Sequence, residues 1–291
     1  MIRKVLFFIL TFYSMGVFSQ KPKDDSQNSK PTVYLIGSIH NMHFDPNNHY
    51  SINDLFAQIR ALKPDLVCGE ITPEAYEQAM EGYFPPEAAA LAEMASELNY
   101  RFAPVDWRLN HATQAIADKN FPKDVEAQRL AFLDDLQAKL KSSNKLSFYD
   151  DVHDETILND LDSLYEKIIG INPLAEIASG SWHERNRCAV ENGMAAAGNA
   201  KVIVFVFGVD HTPQLKRQLK ALGIEAQIPK RMFVPGDDYK VPAAIRERWK
   251  NNLKNLILIR DKKMPSTYDN YQKLINCKRI ENITEALEKS R

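Results

Sequence analysis

Apolar positions along the chain fall into short continuous runs separated by stretches of helical period. Val202 to Phe207 are consecutive β-branched or aromatic residues, a run suited to a strand buried on both faces of a parallel sheet. Gly208 closes it, Asp210 and His211 follow, and Thr212-Pro213 reads as an N-cap with proline at the first helical position. The design recurs near the start, where Val33 to Ile36 predicts a strand and Gly37-Ser38-Ile39-His40 a turn. Ser51 caps a helix predicted from Ile52 to Leu62, with Leu55, Ile59 and Leu62 on one face. Leu66-Val67-Cys68 forms a second strand ending at Gly69-Glu70. A strand–helix–strand unit of this kind is parallel, with a right-handed crossover.

Thr72-Pro73 opens another helix, and Pro85-Pro86-Glu87 an alanine-rich one to about Leu98. Arg101 to Val105 predicts a third strand, leading into Asp106-Trp107-Arg108. Residues 109–197 read as mostly helical, with Leu130, Leu133, Leu136 and Leu140 on one period and Ile157, Leu161, Leu164 and Ile168 on another. After the helix that follows His211, Ile224 to Ile228 predicts a further strand. Residues 229–241 read as loop, and two helices close the chain near 242–260 and 280–289. The fold class is therefore α/β: a central, mostly parallel sheet with helices on both faces. A large helical insertion, 109–197, divides the two Gly-x-x-His halves, and 229–291 forms a C-terminal extension with no evident chemistry. Residues 32–291 make one domain.

Composition changes this picture at two points. A formal net charge of −1 over 291 residues gives no bulk electrostatic case for nucleic acid or an anionic membrane surface. Arg3 and Lys4 precede an apolar stretch, Val5 to Phe18, too short for a comfortable span, and Val17-Phe18-Ser19 resembles a signal-peptidase site. Residues 1–19 are thus expected to be a signal peptide, with an uncleaved anchor as the alternative, and 20–31 a flexible spacer. The mature chain is expected to be periplasmic or secreted, without stable membrane insertion. Cys68, Cys188 and Cys277 form no Cys-x-x-Cys and read as small buried hydrophobes.

In open α/β sheets ligands bind at the carboxyl edge of the strands. His40, Glu70, Asp106 with Arg108, and His211 all follow strand ends, so they are expected to converge. Two imidazoles and a carboxylate would suffice to hold a divalent ion with open positions for water. The same groups could instead activate water directly, with Glu or His as general base. His43 reads as a solvated loop histidine or a supplementary ligand. His49, His111, His153 and His183 read as surface or interface histidines. Arg185, taken alone, reads as an exposed helix charge, the sharper alternative being an ion pair with Glu70 or an oxyanion contact.

The segments VYLIGSIH, DLVCGEI, ERN and VFGVDH, in this order, resemble the superfamily that joins TraB/PrgY/GumN proteins, Tiki metalloproteases, erythromycin esterases and ChaN-like proteins. The resemblance covers roughly residues 33–228. It implies that His40 and His211 are the motif histidines, Glu70 the acid and Arg185 the helical arginine of the site. Asp210 and His43 are not motif positions, which leaves their roles open. The resemblance implies an exported hydrolase acting on a peptide or small-molecule ester. It leaves open whether zinc, manganese or cobalt is bound or the mechanism is metal-free, since Tiki-like and esterase-like members differ. A second class is also implied: a non-catalytic exported protein sequestering a peptide signal or a tetrapyrrole in the same pocket.

Overall fold

The computed structural model describes residues 30–77, 85–263 and 277–290. The expected signal peptide and most of the spacer lie outside the described residues. Four parallel strands form one sheet: β1 (Thr32–Ser38), β2 (Leu66–Gly69), β3 (Arg101–Pro104) and β4 (Val202–Gly208), in the order β1-β4-β2-β3. The helices are α1 (Ile52–Leu62), α2 (Pro73–Glu77), α3 (Pro86–Met94), α4 (His111–Lys119), α5 (Lys123–Lys141), α6 (Phe148–Val152), α7 (Glu155–Ser163), α8 (Pro173–Ala178), α9 (Trp182–Ala197), α10 (Thr212–Ala221), α11 (Ala243–Arg260) and α12 (Cys277–Lys289).

Alternation along the strands sends successive side chains to opposite faces. Ile36, Val67, Val204 and Val206 join Leu55 and Ile59 of α1 and Trp249 of α11 in one core. Leu35, Cys68, Ile203, Phe205 and Phe207 join Val190 of α9 and Leu215 and Leu219 of α10 in the other. Both faces are covered, which is why the strands read as unbroken apolar runs. α1 begins as the sequence suggests: Ser51 accepts from the Asp54 amide while Asp54 accepts from that of Ser51, a capping box.

Two expectations change. Ile224 to Ile228 is not a strand; Gln227 makes a single parallel bridge to Tyr34, and Pro229 has no N–H with which to extend a ladder. Thr212 is not the cap of α10: a 3₁₀ turn, Val209–His211, runs straight into the helix, so His211 takes the capping position and Thr212 is the first helical residue. The C-terminal segment packs into the first core. Trp249 is fully buried and its Nε1 donates to the Pro86 carbonyl at 3.0 Å. Asn41, beside the first histidine, donates to the Asn282 carbonyl at 2.9 Å.

Candidate functional site

Insertion of β4 between β1 and β2 brings the two Gly-x-x-His turns together. The parallel register sets Ser38 opposite Gly208, so β1 and β4 end level, while Gly69 lies opposite Val206, so β2 ends two residues earlier and Glu70 leaves it beside both turns. Close approach here depends on Gly208. A Cβ on it would lie 2.6 Å from His40 Nε2 and 3.4 Å from Glu70 Oε2. His40 itself adopts a left-handed backbone, φ 53°, uncommon for a residue with a side chain.

Glu70 is the hub. Its Oε2 accepts the Gly208 amide at 2.7 Å, and its Oε1 accepts Arg185 Nη2 at 2.7 Å. His40 Nε2 stands 3.9 Å from Oε2 and His211 Nε2 stands 3.8 Å from Oε1. Burial alone would raise the Glu70 carboxyl, but Arg185, then His40, His211 and Arg108, outweigh it and hold the group ionised far below the usual carboxylate range. Arg185 is buried, not exposed. Its Nε and Nη2 donate to Asp106 at 2.8 and 2.9 Å, and Arg108 Nε adds a third bond to Asp106 at 2.9 Å. Arg108 Nη2 is also 3.6 Å from Glu70.

The two imidazoles are held in opposite charge states. His211 Nδ1 donates to Asn186 Oδ1 at 2.7 Å, and the amide is oriented by its own Nδ2 donating to the Trp182 carbonyl. This leaves a lone pair on His211 Nε2. Burial, then Arg185, lower the ring well below its ordinary value and keep it neutral. Trp182 stacks on it with centroids 4.1 Å apart, and Tyr165 stacks on Trp182 at 3.8 Å. His40 Nδ1 donates to Glu87 Oε1 at 2.7 Å. Enclosure would lower this ring too, but Glu87, then Glu70 and Asp210, raise it to about 9, so it is an imidazolium at neutral pH.

Glu87 is the residue the sequence concealed. At the start of α3 it looks like an ordinary acidic N-terminal residue, yet it is buried, accepts from His40 and contacts the Ser38 hydroxyl. Asn186 was hidden in the same way, as one polar residue of a helix. His43 is neither solvated nor a supplementary ligand. The 3₁₀ turn after Ile39 folds it under β1, where it is fully buried; Nδ1 donates to the Tyr50 carbonyl and Nε2 meets Ser38 Oγ at 3.0 Å and the Ile39 amide. Burial lowers it to about 4. His153 is structural too, accepting the Gly37 amide at 2.7 Å. Asp210 accepts from the Tyr165 hydroxyl at 3.1 Å at the mouth of the site. Cys68 is buried and Cys188 partly so, both unpaired with each other.

Among the described residues no group of His, Cys, Asp and Glu side chains is arranged to hold a metal ion. His211 Nε2 offers the lone pair an ion needs, and His40 Nε2 would offer one only on losing its proton; each ring is backed by an acceptor at Nδ1. Glu70 as placed does not: both oxygens already take protein hydrogen bonds, and two guanidinium groups stand beside it. Above this polar floor lies a cavity of about 470 Å³, walled by Leu136, Leu140, Phe148, Ile157 and Leu161 from the helical insertion.

No family model matches the chain, and neither a curated protein nor a solved structure matches it. The class that the fold and site define is an α/β protein with a charged, pre-organised cluster at the carboxyl edge of a parallel sheet, beneath an apolar roof.

Proposed function

We propose that the chain is an exported hydrolase that adds water to an ester or peptide carbonyl at the His40/Glu70/His211 cluster. The observation carrying this reading is the geometry of two imidazoles facing one buried carboxylate, His40 backed at Nδ1 by the Glu87 carboxylate and His211 by the Asn186 amide. His211 Nε2 and Glu70 Oε1 are both acceptors, 3.8 Å apart. A water donating one proton to each would have its oxygen lone pairs exposed to the cavity.

In this mechanism the water oxygen bonds to the carbonyl carbon while its proton passes to His211 Nε2. The carbonyl oxygen takes the developing negative charge, which His40 and Arg108 stabilise as cationic donors. Collapse breaks the carbon–heteroatom bond, and the leaving group takes the proton from His211. Glu70, ionised throughout, orients the water and balances the imidazolium formed at His211. Arg185 and Asp106 hold Glu70 in place.

A second reading places a divalent ion on His40 and His211, favoured by the acceptors behind both Nδ1 atoms. It requires His40 to give up its Nε2 proton and Glu70 to exchange a protein hydrogen bond for the ion. Elemental analysis of purified protein, with turnover measured before and after chelator, separates the readings. Chelator-indifferent activity supports the metal-free mechanism, and activity that falls with chelator and returns with zinc, manganese or cobalt supports the ion.

The hydrolase itself is tested with Glu70→Gln against a panel of esters and peptides. Loss of turnover by about a hundredfold or more with ligand binding retained supports it. No turnover from the wild-type chain on any member, together with tight peptide or tetrapyrrole binding, would replace it with a sequestering protein.

A further inference from the structure

The leucines at 130, 133, 136 and 140 of α5 carry the apolar period of a core helix, but the fold does not bury them as one. Leu130 is 50% and Leu133 36% exposed, whereas Leu136 is 9% exposed. Leu136 and Leu140 wall the cavity over the cluster, and Leu130, Leu133 and Leu136 wall a second cavity of about 920 Å³. The two cavities share Leu136, Leu161, Trp182 and Asp210, so they meet at these side chains. The leucine stripe therefore leads from the reacting groups into the second cavity. At 1.5 Å per residue it is about 15 Å long, the span of roughly a dozen methylene groups.

We infer that the substrate's apolar part is an aliphatic acyl chain, with its carbonyl at the His40/Glu70/His211 cluster and its methylenes along the leucine face of α5. This rests on the hydrolase reading and narrows it to acyl esters or amides. An extended peptide suits the path less well. Each of its residues brings an N–H and a C=O that need partners when buried, and a strand-like guest takes them from a sheet edge. No strand residue lines the second cavity; its walls come from α4, α5, α7, the helical segment Leu164–Ile169, α8, α9 and the turn after β4 that carries Asp210, and their backbone groups are largely bonded within the helices. Charged side chains also stand on its lining: Glu126 and Arg129 are closed on each other at 2.8 Å, Asp210 accepts from the Tyr165 hydroxyl, and Asp118 and Lys123 lie on the lining beside them. An acyl chain asks only for apolar contact, which is what the leucines and the facing Leu161, Leu164 and Ile169 offer.

The test uses the full chain, p-nitrophenyl esters from acetate to dodecanoate, and equilibrium binding of an anthroyloxy-labelled fatty acid. The expected result is a kcat/KM that climbs by about tenfold or more from butyrate to dodecanoate. Leu133→Asp is expected to cut the dodecanoate-to-butyrate ratio and the probe affinity by about tenfold each, while Leu133→Met preserves both. Because Leu133 is part-exposed, circular dichroism is expected to be unchanged in both variants. Turnover that is flat across the series, with no probe binding, overturns the acyl path and leaves the hydrolase reading standing. Probe binding that Leu133→Asp weakens, with no ester hydrolysed, upholds the acyl path and removes the hydrolase. Displacement of the probe by apolar peptides that are themselves cleaved, with long esters inert, overturns the acyl path in favour of a peptide groove.

Discussion

Arg185 and Glu70 meet at 2.7 Å in the interior, and the same guanidinium grips Asp106 with two further hydrogen bonds. Arg185, with Arg108 beside it, thus balances two buried carboxylates, one at the reacting edge and one behind it. Removing a single partner from such a group costs far more than the pair contributes, because charge is left stranded.

Arg185→Met is accordingly expected to lower stability by about 3–5 kcal/mol at neutral pH, read from denaturant unfolding. The sign of its pH dependence follows from Glu70, whose folded value is depressed chiefly by Arg185. That stabilisation is present above the carboxyl's ordinary 4.5 and is lost as pH falls toward its folded value. The gap between wild type and variant should narrow below pH 4.5. A constant gap down to acid unfolding would remove the ion pair from the account.

Gly208→Ala separates fold from chemistry. Its Cβ would press on His40 Nε2 at 2.6 Å, so the ring must turn away from Glu70. The expected outcome is a fall in kcat/KM of about a hundredfold, since a displacement near 1 Å at a reacting group has that scale. The unfolding midpoint should change little, because the His40 side chain is 43% exposed and can yield toward the cavity. Wild-type turnover in this variant would show that His40 does not need its present position.

The His40–Glu87 pair sets a pH window. His40 is raised from 6.5 to about 9, so its stabilising share is complete below pH 6.5 and lost as pH rises through about 9. Glu87 is lowered from 4.5, by His40 against its own burial, so its share is complete above pH 4.5 and lost as pH falls below that. Glu87→Gln should therefore be most destabilising between these limits, with the difference closing above pH 9. It should also move the alkaline limb of the kcat/KM profile to lower pH, because His40 would then deprotonate earlier. NMR titration of the His40 ring reads the same shift directly. An unmoved His40 titration in Glu87→Gln would defeat this prediction.

The local sequence determined the strands β1, β2, β3 and β4, the helix α1 with its cap, and the placement of His40, Glu70 and His211 at strand ends. These follow from apolar run length, helical period and turn chemistry within a few residues of each other. Ile224 to Ile228 shows the limit of such reasoning: it has a strand's composition but only one bridge, because pairing depends on what a neighbour offers. Tertiary structure alone decided that β4 lies between β1 and β2, which is what brings His40 and His211 to a common carboxylate. It alone decided that Glu87 stands behind one ring and Asn186 behind the other, giving two chemically identical side chains opposite charge states. It also turned His43 inward, packed Leu136 and Leu140 of α5 against Ile157 and Leu161 over the site, and left Leu130 and Leu133 part-exposed. Charge state and exposure are set by partners distant in sequence, through burial and hydrogen bonds that no local pattern encodes.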